Sequence, residues 1–185
     1  MDWTWRGRAW VFGDNIPNDG GLMPLRFVRE QQYDPSVLAP HCLSEVDPSF
    51  AAKARPRDLV VGGRNFAYGN FHVQGFLGLK GLAVGLLAES MTRGAYRAAI
   101  NAGVPLLTPV EGLTAAAVAS GDELEVDFLV GRIRNISRGT EIVAEPLPEV
   151  VREIIEAGGG IGHMLKRLSS VSNPTCTTTE RMPTA

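Results

Sequence analysis

The apolar positions of this chain alternate between short continuous runs and helical spacings, with glycine, proline and asparagine at the joints. Arg6–Gly13 (RGRAWVFG) is short, aromatic and ends on glycine, the pattern of a strand delivering the chain into a loop. The loop that follows, DNIPNDGGLMP, is dense in residues that tolerate unusual backbone angles or satisfy backbone groups locally, which predicts an ordered turn region. DLVVGG (Asp58–Gly63) and LAVGLLAES (Leu82–Ser90) are unbroken apolar runs with polar or glycine ends, as expected of strands buried on both faces. Between them, GNFHVQGFLGLKG reads as a loop entering a glycine-containing helix.

Helix signals fill the gaps. DPSVLAPHC (Asp34–Cys42) and DPSFAAKA (Asp47–Ala54) each put Asp before Pro, the pattern of a short helix with an acidic cap. MTRGAYRAAINAG places Ala95, Ala98, Ala99 and Ala102 on one face and stops at Gly103, a helix with a glycine at its end. PLLTP returns as a strand, and ELEVDFLVG, GRIRNI and TEIVAEPLP predict an antiparallel meander. PEVVREIIEAGG closes the body as an amphipathic helix. The expectation is one mixed α/β domain over residues 1–168, of a three-layer or β/β/α kind. A Ser/Thr/Pro-rich tail over residues 169–185 is expected to be disordered.

Composition narrows the function. With 185 residues, 44% hydrophobic and 21% charged, the chain is long enough for one core and ordinary for a globular domain. A net charge of −2 with scattered Lys and Arg lacks the basic stripe of a nucleic-acid binder. No run reaches the roughly 20 apolar residues of a membrane span, and no apolar leader opens the chain, so a cytoplasmic address is expected. Two cysteines, Cys42 and Cys176, stand far apart, too few for an iron–sulfur or zinc site built by this chain alone. Any metal must come from elsewhere.

Several segments in this order resemble the small subunit of 3-isopropylmalate dehydratase, equivalent to the swivel domain of aconitase and homoaconitase. They are FGDNIPND (Phe12–Asp19), LMP (Leu22–Pro24), DPSVLAPHC, DLVVGGRNFAYG (Asp58–Gly69), AESMTRGAYRAAINAGVPLL (Ala88–Leu107), GDELEVD (Gly121–Asp127) and EPLPEVVREIIEAGG (Glu145–Gly159). The resemblance implies an aconitase-type swivel domain, with a mixed sheet in a three-layer β/β/α arrangement. It implies a chain that is inactive alone and caps a large partner subunit, whose own cysteines hold a 4Fe-4S cluster. It also implies a hydro-lyase reaction, in which a di- or tricarboxylic hydroxy acid loses water and regains it at the neighbouring carbon. There the open iron of the cluster acts as Lewis acid.

The same resemblance implies a Gly-Ser-Ser-Arg segment at a helix start, its first Ser a base and its Arg a carboxylate clamp. Here that segment reads Gly69-Asn70-Phe71-His72. Asn70 cannot take a proton, although its amide can bond a substrate or cap the helix. His72 can bind a carboxylate when protonated or exchange a proton near neutral pH, but it is no permanent bidentate fork. Two readings stand side by side. In one, Asn70 caps the helix, Phe71 fills space and His72 is a surface or core histidine. In the other, His72 and Asn70 serve a repurposed site, with Gly69 and Phe71 lining it.

Counting from Pro24, Arg29 lands where relatives contact the variable arm of the substrate, which favours an acidic arm; the plain alternative is a solvated Arg29 paired with Glu30. Arg26 is a weaker candidate. Asp19, beside Asn18 in place of the family's Thr, matches a residue facing the cleft. Ser90 and Arg93 match flanking residues, or else serve as a helix cap and an ion-pairing group. His41 and Cys42 read as structural, and His163 has no assigned role. A divergent homologue acting on another acid, and a non-catalytic capping subunit, are the alternatives.

Overall fold

The computed structural model describes residues 2–70, 72–113 and 116–171. Seven strands form one mixed sheet in the order β4-β3-β2-β1-β5-β6-β7. They are β1 (Thr4–Phe12), β2 (Leu59–Gly62), β3 (Gly85–Ala88), β4 (Leu106–Leu107), β5 (Glu123–Asp127), β6 (Arg132–Asn135) and β7 (Thr140–Val143). The runs read as doubly buried are so: all four residues of β2 and of β3 are inaccessible. The meander strands alternate instead, β5 burying Leu124 and Val126 and β6 burying Ile133 and Asn135. That is the period-2 pattern of strands with one covered face.

β1 joins the two halves. Its first five residues pair antiparallel with β5, from Thr4 opposite Asp127 to Arg8 opposite Glu123. Its last four pair parallel with β2, from Ala9 opposite Leu59 to Phe12 opposite Gly62. Asp58 holds this changeover. Its carboxylate accepts from the Arg8 amide at 2.9 Å, the Trp10 indole at 2.9 Å and the Arg55 amide at 3.0 Å. Asp58→Ala strands three donors at a buried position, so it is expected to cost about 2–4 kcal/mol in urea unfolding, with Asp58→Asn milder because one acceptor oxygen remains.

The parallel half runs β1, β2, β3, β4 outward from the centre. Parallel crossovers are right-handed, and an order that advances in one direction puts its connecting helices on one face. Those connections carry α1 (Leu25–Arg29), α2 (Pro35–Leu38), a 3-10 turn (Ala39–His41), α3 (Phe50–Lys53), α4 (Gln74–Gly81) and α5 (Arg93–Ala102). α2 starts as expected, with Asp34 accepting from the Ser36 amide at 2.8 Å. α5 ends on Gly103 at φ +85°, the left-handed value that glycine tolerates.

Two elements depart from the sequence reading. The segment after Pro24, to which the sequence reading assigns no element, is the short helix α1, anchored by the buried Phe27. After α6 (Glu149–Glu156) comes another helix, α7 (Gly160–Val171), which carries the body past residue 168. The Ser169 and Ser170 hydroxyls donate to the Lys166 and Arg167 carbonyls, satisfying within the helix what made these residues look like tail. Residues 172–185, with Cys176, lie outside the described residues. No helix among those described is long and apolar enough to cross a membrane.

Candidate active site

Adjacent parallel strands end side by side, so the loops leaving β1, β2 and β3 are forced together beyond their carboxyl ends, where open α/β sheets bind ligands. Three residues after β1 ends, the Asn15 amide donates to the Arg64 carbonyl at 2.8 Å, and Asp14 grips Arg64 by amide and guanidinium. Farther along, the Asn18 amide donates to the Tyr68 carbonyl at 2.9 Å, and that of Tyr68 to the Ile16 carbonyl at 3.2 Å. On the other side the Phe66 amide donates to the Ser90 carbonyl at 2.9 Å, and the Asn65 amide to the Ser90 hydroxyl at 2.8 Å. The loop expected to be ordered is ordered by these bonds.

This zipper sets Asp19 and His72 against each other, though 53 positions separate them in the sequence. Asp19 Oδ1 lies 2.7 Å from His72 Nδ1. A carboxylate only accepts, so Nδ1 carries the proton and the neutral ring keeps its lone pair on Nε2. Nε2 has no partner among the described residues. The backbone of His72 is fixed as well, because the Asn18 side-chain amide donates to its carbonyl at 3.0 Å. Asn18 is buried, and its Oδ1 accepts no hydrogen bond from the described residues. A Cβ on Gly75 would come within 2.6 Å of Leu22 and 3.2 Å of that Oδ1, so the first turn of α4 fits only because this position is bare.

The structure sorts the remaining sequence candidates. Asn70 is exposed and does not cap α4, which begins at Gln74 behind Val73 with no side-chain cap. Gly69 is at φ +89° with open space around it, so backbone conformation alone explains the glycine. Phe71 lies outside the described residues. Ser90 is not the cap of α5 either. Thr92 has that place, its Oγ1 accepting from the Ala95 amide at 3.2 Å, and Ser90 pins the β2 loop instead. Arg93 is exposed at the start of α5 and makes no ion pair among the described residues, against the ion-pairing alternative. Arg29 is exposed near the end of α1 and makes no hydrogen bond or ion pair to His72 or Asp19. Arg26 leans on His41, 3.4 Å from its Nδ1, and stacks over Phe27.

The residues that sequence reasoning passed over are the clamp role of Asn18 and the presence of Arg97, four positions beyond Arg93. The helical spacing of the two arginines was the available signal.

Among the described residues a cluster or metal ion finds no ligand set. Cys42 is fully buried, its Sγ lies 3.7 Å from the Gly75 carbonyl, and burial pushes its thiol far above the usual range, which opposes the thiolate a metal needs. Among the described residues no three His, Cys, Asp or Glu side chains gather to hold a metal.

No family model matches the chain. Individual proteins do. The isopropylmalate/citramalate isomerase small subunit of Methanocaldococcus jannaschii is 38% identical over 165 residues, covering 89% of this chain and 95% of that protein. The homoaconitase small subunit of Methanothermobacter thermautotrophicus is 36% identical over 171 residues, covering 92% and 96%. A crystal structure of 3-isopropylmalate dehydratase from Methanocaldococcus jannaschii superposes with a TM-score of 0.79 at 30% identity, over 91% of this chain and 98% of that one. Identities of this size over nearly the whole of both chains, with a shared fold, place the sequence: it belongs to the small-subunit family of 3-isopropylmalate dehydratase, isopropylmalate/citramalate isomerase and homoaconitase.

Proposed function

We propose that this chain is the small subunit of a two-subunit hydro-lyase that moves water across a di- or tricarboxylic hydroxy acid, in which His72 supplies the proton transfer of the small-subunit side. The observation that carries this reading is the histidine held at both ends, its Nδ1 by Asp19 and its carbonyl by Asn18, with Nε2 left open. A merely structural histidine has no need of that arrangement at the convergence of three strand ends. Asn70, where the resemblance expects a base, cannot take a proton; His72 can.

Dehydration removes a proton from one carbon and hydroxide from its neighbour. His72 Nε2 accepts the carbon proton and returns it in the hydration direction, while Asp19 offsets the charge of the imidazolium in between. Departure of the hydroxyl belongs to the large subunit, which in this proposal carries the 4Fe-4S cluster, because the donor set of this chain does not fit one. The Asn70 amide and Gly69 are assigned to the loop that meets the substrate. Ser90 holds that loop, and Arg93 stands at its flank. Arg29 is assigned to the distal, acidic arm of the substrate, reached when the large subunit closes the cleft. The complex is assigned to the cytoplasm.

The reading is tested by reconstitution. The purified chain is expected to be colourless and inactive, and to turn over 3-isopropylmalate, citramalate or homocitrate only after mixing with its cluster-bearing partner. Cluster absorbance or turnover in the isolated chain contradicts the division of labour, and a stable complex inert toward all three acids contradicts the hydro-lyase.

A further inference from the structure

A second feature begins one residue along the chain from His72. Val73, the next residue, lines a recess of about 570 Å³ together with Arg93, Gly94, Arg97, Ala98 and Asn101. Arg93 and Arg97 are four residues apart on α5 and so share one helix face. Both are exposed, and neither makes an ion pair or side-chain hydrogen bond among the described residues. Arg6, Arg64, Arg134 and Arg138, by contrast, each lie within 3.0 Å of a carboxylate oxygen. Like charges at this spacing repel, and the amino-terminal end of the helix adds its own positive potential at Arg93. An anion held between the two members relieves that repulsion.

The His72–Asp19 pair supplies no fixed positive charge. His72 is positive only when it holds a second proton, and Asp19 offsets it. A substrate with two or three carboxylates needs a fixed cation, and guanidinium groups match carboxylate geometry with paired N–H donors. We infer that Arg93 and Arg97 together form the clamp for one substrate carboxylate, seated in the recess behind Val73. Arg97 is thereby a substrate-binding residue, and Arg93 acts as its partner. This rests on the hydro-lyase reading above and names how its substrate is held.

The test uses two readouts. Calorimetry follows tricarballylate, a tricarboxylate with no hydroxyl to lose, on the full chain alone and on the assembled complex; steady-state kinetics follow the hydroxy acid. Arg93→Gln and Arg97→Gln are each expected to weaken tricarballylate and raise KM by roughly ten- to a hundred-fold, the range for a lost charge-assisted hydrogen bond. Arg97→Lys should recover part of the loss, and Arg132→Gln, on β6, serves as the charge control. Tricarballylate affinity and KM both within two-fold of the parent overturn the inference. So does a loss that excess large subunit fully restores, which would make the arginines a docking contact. If the parent complex turns over no hydroxy acid, the hydro-lyase reading fails, and tricarballylate binding still decides the clamp.

Discussion

His72→Gln is expected to preserve the fold and the complex with the large subunit while lowering kcat by about 10²–10⁴, the usual contribution of a positioned general acid or base. Glutamine is close in size, and its amide can still donate to Asp19, so the geometry of the loop is retained. What it lacks is a nitrogen that takes up a proton. The Asn18 bond to the backbone carbonyl of residue 72 does not depend on the side chain, and circular dichroism with sedimentation of the complex should show no change. Normal turnover in this variant would move the base to the large subunit. Strong activity gained by Asn70→Ser with His72→Arg would instead mark the present loop as a decayed form of the family's usual site.

Asp19→Asn tests the other half of the pair and should cost a similar amount, roughly 10²–10⁴ in kcat, for a different reason. An amide at position 19 can turn its NH₂ toward Nδ1, which then accepts and leaves the proton on Nε2. The ring remains in place with its proton on the wrong nitrogen. The loss should therefore fall on kcat with little effect on assembly, because Asp19 is only part-buried and its backbone bridge to Met23 is untouched. A variant defective chiefly in KM would mean that Asp19 binds substrate directly and is not the orienter of His72.

How much of this was legible in the sequence depends on the range of the interaction. Local signals were reliable. Continuous apolar runs marked β2 and β3, β-type segments between glycine turns marked β5 and β6, and Gly103 marked the end of α5 because its left-handed turn satisfies the last carbonyls. α1 was missed because five residues with one buried side chain leave no periodicity to read. α7 does carry a helical pattern in Ile161, Met164, Leu165 and Leu168, but Gly158 and Gly159 before it, Gly160 at its start and the serines in its last turn obscured the signal.

The site was half legible. Asp19 and His72 were each picked out by position in matched segments, yet nothing in their spacing says that they touch. That contact follows from the strand order, which brings the β1 and β2 loops together, and strand order is a long-range property. Asn18 illustrates the same point. In the sequence it stands only as a replacement for the family's Thr, with no role of its own, whereas in the fold its buried amide holds the His72 carbonyl.

The central claim is that Asp19 sets the His72 ring so that Nε2 presents a lone pair to the cleft. Nitrogen-15 NMR of the two ring nitrogens of His72, in the full chain at neutral to mildly alkaline pH, reads this without a substrate or a partner. The account predicts a protonated, hydrogen-bonded Nδ1 and an unprotonated Nε2, reversed by Asp19→Asn. A ring with its proton on Nε2 in the parent chain, or a tautomer indifferent to Asp19→Asn, would contradict it.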